Sequence, residues 1–367
     1  MKKKYLISFL LMLCLNSTKA QTIDTIVFVG KGQQLQFTII KGKAIPILFE
    51  SGLGNGRDVW KSITKQIANI TGATVITYNR LSFGEKPHNY QIGFLNEIEA
   101  LEMGLQKLGY AHKNIMLVSH SLGGMYNSFY ASRHPSEVKA AVLIDDANIC
   151  SLKTSIPSKK APQIDVVEKY IADILDTVIK NPMPLHIPVL DIVATSHTDD
   201  NGRLDTMWLN CHQNFVAQSK MRKLLLADGV GHSIFTDNPP LVVNAVVTQY
   251  ANFIAPSQKN VIIEKGYAAE LAMINEMKKS EVKCGHTEEE LNTWGYSLLE
   301  NTEFDKAIEV FKLNVMLNPN GWNSYDSLAE AYLKSGNKDL AIKNYKKSLE
   351  LNPNNESATK VLFQLLK

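Results

Sequence analysis

Ser121 stands where an apolar, β-branched run gives way to a helical pattern. The run Ile115-Met116-Leu117 reads as a buried strand, and 125–131 reads as a helix. The link between them is Val118-Ser119-His120-Ser121-Leu122-Gly123-Gly124. A serine on so sharp a turn holds its hydroxyl out at the end of a sheet, with a helix N-terminus behind it. Ser119, Gly123 and Gly124 are the small neighbours that such a turn needs. The chemistry on offer is nucleophilic attack by a hydroxyl. A hydroxyl is a weak nucleophile until a base takes its proton, so a base must come from elsewhere in the chain. His120 is adjacent, but its side chain points away from that of Ser121, so it is expected to support the turn.

The heptapeptide, with a strand before it and a helix after, resembles the Gly-x-Ser-x-Gly nucleophile elbow of the α/β-hydrolase superfamily, with Ser119 in place of the first glycine. The resemblance implies a base histidine in the loop after the last strand. Here 226–230 leads into Gly231-His232-Ser233, and Asn238-Pro239-Pro240 opens another helix. His232 is therefore the expected base, ahead of His197 and His212. The resemblance also implies a carboxylate that fixes the histidine tautomer and stabilises the imidazolium. The family usually takes it from the loop after the strand at 187–193, which makes Asp199 the first choice and Asp200 the next. Some members place it one strand earlier, where Asp145 is the alternative. Two backbone N–H groups should form the oxyanion hole. They are expected at Leu122, after the nucleophile, and at Leu53 in the Gly52-Leu53-Gly54 loop. The implied reaction is acyl transfer to water from an ester-type small molecule, with thioester, amide or lactone substrates also open. Serine in the elbow disfavours the dehalogenase and epoxide-hydrolase branches, which use aspartate there. No metal-ligand spacing and no cofactor motif occurs; the glycines after the third strand lack the Gly-Lys-Ser/Thr of a phosphate loop.

The elements that must position these residues can be read in order. Strands are expected at 23–29 and 34–40, joined by Gly30-Lys31-Gly32 as a hairpin, and at 45–49, 73–78, 113–117, 140–144, 187–193 and 223–226. Helical patterns separate most of them. Strands alternating with helices predict a mostly parallel sheet covered on both faces. This is an α/β fold, and its order resembles an α/β-hydrolase domain over 21–256. Between 148 and 186 the rhythm breaks into a proline-rich stretch around one amphipathic helix at 166–179. An insertion of about 40 residues is long for a connection, and it falls where that family carries its lid.

The last third of the chain is helical in pattern and repeats. Asn318-Pro319 recurs as Asn352-Pro353, Ala307-Ile308 as Ala341-Ile342, Gly295 as Ala329 and Phe311 as Tyr345, each pair 34 residues apart. That period, with small residues at the helix crossings, resembles the tetratricopeptide repeat. Two repeats and a capping helix are expected over 287–367, with 257–286 as a linker and packing helix. Tyr267, Leu271 and Ile274 form a stripe that could cover one end of the repeats, and Val361, Leu362 and Leu365 the other.

With 367 residues, the chain has room for about two domains. Its formal charge of +3 is misleading. Lys2, Lys3, Lys4 and Lys19 precede the first acid, and without them 35 of the 39 basic residues face 36 acidic ones. Nothing in that balance suggests nucleic acid. The basic start, an apolar core over 5–15 and Thr18-Lys19-Ala20 read as a secretory signal over 1–20. Its apolar run is too short to span a membrane comfortably, and Met12 and Leu13 argue against lipid attachment at Cys14. An exported protein with no membrane span after signal removal is expected. Cys150, Cys211 and Cys284 then remain. A Cys150–Cys211 disulfide and buried free thiols are both open. The alternative function is a partner-binding protein: the repeats hold a protein partner and the hydrolase domain serves as scaffold.

Overall fold

The computed structural model describes residues 21–30, 32–83, 89–155, 165–196, 206–227, 229–279 and 288–366. Residues 1–20, with the expected signal, lie outside them. Eight strands form one sheet: β1 (Thr22–Gly30), β2 (Gln33–Ile40), β3 (Ala44–Glu50), β4 (Ala73–Asn79), β5 (Ile115–His120), β6 (Val138–Ile144), β7 (Val189–Ala194) and β8 (Arg222–Ala227). Their order is β1-β2-β4-β3-β5-β6-β7-β8. β1 and β2 pair antiparallel, β2 meets β4 antiparallel, and every later pairing is parallel. The sequence explains this division. β1 alternates exposed and buried residues, as an edge strand with one wet face must, while β5 is buried throughout.

Helices α1 (Lys61–Thr71), α2 (Phe94–Lys107) and α3 (Gly123–Arg133) follow β3, β4 and β5. The connection after β6 holds two helices, α4 (Ile149–Ser155) and α5 (Val166–Lys180), where the pattern suggested one. α4 is too short to show an amphipathic period. It is fixed instead by the mutual Asn148–Ser151 hydrogen bonds and by a Cys150–Cys211 disulfide with Cα atoms 5.5 Å apart. α5 begins in a capping box, Asp165 accepting from Val167 and Glu168 backbone N–H. Its Tyr170, Ile174 and Val178 pack on Met125, Tyr126 and Phe129 of α3, so the insertion lies over the elbow helix. After β7 and β8 come α6 (Thr206–Ala217), α7 (Ile234–Asp237) and α8 (Pro239–Ala251).

The expected packing helix begins earlier than its pattern suggested, and residues 280–286 of that segment lie outside the described ones. α9 runs unbroken over Pro256–Lys279, with Pro256 at its start, where a missing N–H costs nothing. A Cβ on Gly266 would come within 2.8 Å of Val247 Cγ1, so the glycine allows α9 to lie close on α8. Ile262 belongs to the core under the sheet and Ile274 to the core of the repeats, so one helix serves both. Five further helices follow: α10 (Glu288–Glu300), α11 (Phe304–Leu317), α12 (Trp322–Lys334), α13 (Lys338–Leu351) and the capping α14 (Glu356–Leu365). The 34-residue correspondence has a packing cause. Ala307, Ala329 and Ala341 are fully buried, and a Cβ on Gly295 would fall 2.3 Å from the Phe311 ring. Val361, Leu362 and Leu365 cover the far end as expected; Ile274 covers the near end, while the side chains of Tyr267 and Leu271 lie outside those described.

Candidate active site

Ser121 takes φ 54°, left-handed backbone that a serine adopts only when its surroundings hold it there. The turn is closed by Gly124 N–H and Ala147 N–H, both donating to Ser121 O at 3.0 and 2.9 Å. Glycine at 123 is obligatory, because a Cβ would lie 2.6 Å from Glu50 O. Gly124 likewise leaves room for the Asp146 carboxylate, which a Cβ would meet at 2.3 Å. The departure at Ser119 is accommodated in the same place. Its side chain is fully buried, and its hydroxyl donates to Asp146 Oδ2. Burial pushes Asp146 well above the usual carboxylate range, and Ser119 pulls it back.

His232 follows β8 and is partly exposed. Its Nδ1 lies 2.7 Å from Oδ2 of Asp145, which is fully buried at the end of β6. The position expected first for the acid is on the loop after β7, but Asp199 and Asp200 lie outside the described residues. Asp145, the alternative, holds the ring nitrogen. The chain turns at Asp145 with φ 48°, and its N–H donates to Ile192 O at 2.7 Å. Its second oxygen, Oδ1, accepts from Ala194 N–H at 3.0 Å and from Trp208 Nε1–H at 2.9 Å. A carboxylate that receives bonds on both oxygens is fixed in orientation. Such a partner orients the His232 ring with Nδ1 toward the carboxylate. Trp208 escaped the sequence reading because nothing in its spacing distinguishes it from an ordinary apolar helix residue.

His120, expected to support the turn, makes its hydrogen bond to the loop of His232. Its Nε2–H donates to His232 O at 3.0 Å, and the two rings lie 4.5 Å apart. The residue before Ser121 thus anchors the backbone of His232. Burial, with His232 beside it, pushes His120 down to about 4, so its ring is neutral near pH 7.

The loop that carries Leu53 is fixed from below. Arg80 donates through Nη1 to Ser51 O at 2.7 Å and through Nη2 to Gly52 O at 2.5 Å. In a trans peptide the C=O and the next N–H point in opposite directions. With Gly52 O turned to Arg80, Leu53 N–H is turned to the other side. Gly52 itself packs on the elbow, where a Cβ would meet Ser121 Cβ and His120 Nδ1 at 3.1 Å. The side chains of Leu53 and Leu122, whose amides are the expected donors, share one apolar cluster. Arg80 is buried and pairs with Glu50 Oε1 at 2.6 Å. Burial pushes Glu50 up to about 7, against the pull of Arg80 and a bond from Tyr78. Glu97 connects this base to α5, accepting from Ser82 N–H, Tyr126 and Tyr170. The lone Arg80 after β4 carried no sequence signal of that role.

Among the described residues no group of three or more His, Cys, Asp or Glu side chains is placed to hold a metal ion, and no helix is long and apolar enough to cross a membrane. A serine on a strained elbow, a histidine paired with a buried carboxylate and two candidate amides are the kinds of group that acyl transfer calls for.

Residues 45–180 match the family model described as alpha/beta hydrolase fold, and 327–355 match the tetratricopeptide repeat. The uncharacterized protein YqjL of Bacillus subtilis is 22% identical over 210 residues, 55% of this chain and 82% of that protein. Ethanol acetyltransferase 1 of Cyberlindnera fabianii is 32% identical over 106 residues, 28% of this chain and 30% of that one. The sn-1-specific diacylglycerol lipase ABHD11 of Mus musculus is 28% identical over 113 residues, 30% of this chain and 36% of that one. The chain thus spans about a third of the length of these two named enzymes.

Proposed function

Because the chain joins an α/β-hydrolase domain to tetratricopeptide helices, we propose that it is an exported serine hydrolase of the carboxylesterase type, with Ser121, His232 and Asp145 as its triad. The observation that carries the reading is the pairing of His232 Nδ1 with a buried, doubly bonded Asp145 beside a left-handed serine elbow. Ser121 Oγ attacks the acyl carbon while its proton passes to His232 Nε2. The carbonyl oxygen becomes an oxyanion facing Leu53 and Leu122 N–H. Its collapse expels the alcohol, which leaves with the proton from His232. Water then attacks the acyl-enzyme, giving its proton to His232, and the acid departs as Ser121 regains it. The named relatives, an acetyltransferase and a lipase, both act through acyl groups by their names.

Export rests on the basic-apolar start of the chain and on the Cys150–Cys211 disulfide, which persists in oxidising compartments. The tetratricopeptide helices are read as a surface for a protein partner. The test is a panel of p-nitrophenyl esters of rising acyl length, run on the full chain and on Ser121→Ala and His232→Ala. Turnover of at least one ester, lost in both variants with the circular dichroism unchanged, supports the reading. Undiminished turnover in Ser121→Ala contradicts it.

A further inference from the structure

A second histidine–aspartate pair lies behind the elbow and has no part in the reaction above. His212 Nδ1 is 2.8 Å from Asp191 Oδ2, and both residues are at least 98% buried, His212 being 1% and Asp191 0% exposed. Among the described residues, His212 Nε2 and Asp191 Oδ1 have no hydrogen-bond partner. Both residues line a cavity of about 440 Å³ between the lid, β6, β7 and α6. Ser121 and His232 are not among its lining residues.

The unpaired atoms need an account. Leaving one buried polar atom unsatisfied costs about 1–3 kcal/mol, and protein interiors rarely tolerate it. Here two such atoms lie on one dyad, at the wall of a space far larger than one water. Most of the remaining wall is apolar, with Leu143, Val178, Met183 and Phe215 around the dyad. The charged side chains do not favour one sign of ligand. Asp146 and Asp191 are set against Lys153 and Arg222, and burial pushes both carboxyls upward, toward the neutral form. The lining therefore fits a neutral molecule with an apolar body and a head that both donates and accepts. A hydroxyl does this: it accepts from His212 Nε2–H and donates to Asp191 Oδ1.

We propose that this cavity is a binding site for a neutral amphipathic alcohol, with its hydroxyl held by His212 and Asp191 and its chain against Val178, Met183 and Phe215. The disulfide borders the same cavity through Cys150 and Cys211, joining its α4 and α6 walls. The site does not depend on the hydrolase reading, since it uses none of those residues.

The test uses 1-octanol and the full chain. Calorimetry should give saturable one-to-one binding, and in ¹⁵N-histidine spectra the His212 signal should move while that of His232 stays. The His212 signal is identified by its loss in His212→Asn. Met183→Trp, which fills the cavity, should weaken binding by about tenfold or more. Should that variant misfold, Val178→Phe serves the same purpose, and the His212 shift in the unaltered chain stands alone. The proposal fails if octanol does not saturate, if only His232 responds, or if a folded cavity-filled variant binds as tightly as the original. Non-saturating behaviour would mean that water alone satisfies the dyad.

Discussion

Asp145 reaches His232 across 87 residues of chain, from the end of β6 to the loop after β8, and meets it at 2.7 Å. The contact turns Nδ1 of His232 toward the carboxylate. Asp145→Asn keeps the shape but can offer an N–H where an acceptor is needed, which favours the wrong tautomer. We expect kcat to fall by roughly three to four orders of magnitude in Asp145→Asn and to change little in Asp199→Asn or Asp200→Asn. Steady-state ester hydrolysis ranks them. A larger loss in either loop variant would move the acid to that loop.

Trp208 holds the far oxygen of that carboxylate at 2.9 Å. Trp208→Phe keeps an aromatic ring and removes the donor. A hydrogen bond to a charged group is worth about 1.5–3 kcal/mol, so kcat should drop about ten- to a hundredfold with KM nearly unchanged. A change confined to KM would assign the indole to substrate contact instead.

Arg80 turns the Gly52 carbonyl inward and so turns Leu53 N–H outward. Lysine at this position keeps the charge but loses the planar fork that serves Glu50, Ser51 O and Gly52 O together. Losing one oxyanion donor costs about 10²–10³ in kcat, and Arg80→Lys should approach that loss. Equal kcat in a folded Arg80→Lys protein would show that the loop holds its shape unaided.

Much of this was legible in the chain and some was not, for physical reasons. The sheet announced itself because its central strands are buried on both faces and must be apolar runs. The sharp turn at Ser121 was legible from local turn chemistry, and the repeats from small residues forced by close helix crossings. Asp145 ranked second because the choice between loops is made by tertiary geometry, and an aspartate at a strand end reads equally well as a cap. Trp208 and Arg80 act singly, through contacts with residues 63 and up to 30 positions away, and leave no periodic trace. The continuity of α9 was missed because Pro256 and Ser257 punctuate a linker as readily as they start a helix.

His120 supplies a pH test. Burial lowers its folded-state value to about 4, from about 6.5. The unfolded chain then binds more protons between these values, so this residue costs stability as pH falls from about 6.5 toward 4 and costs nothing above. The full shift corresponds to roughly 3 kcal/mol. His120→Gln keeps a donor for His232 O but does not titrate. Denaturant unfolding at pH 7.5 and pH 4.5 should therefore show the unaltered chain losing more stability than the variant on acidification. Parallel losses in the two proteins would show that His120 protonates in the folded state without penalty.

The central claim is that Ser121 is a nucleophile activated by His232. A fluorophosphonate reacts with an activated serine and leaves a stable covalent adduct, whatever the natural substrate. Intact-mass and peptide mass spectrometry of the folded full-length chain should show one adduct, on Ser121, absent in Ser121→Ala and formed far more slowly in His232→Ala. A folded chain that takes no label, or takes it on another residue with Ser121 unmodified, would contradict the account.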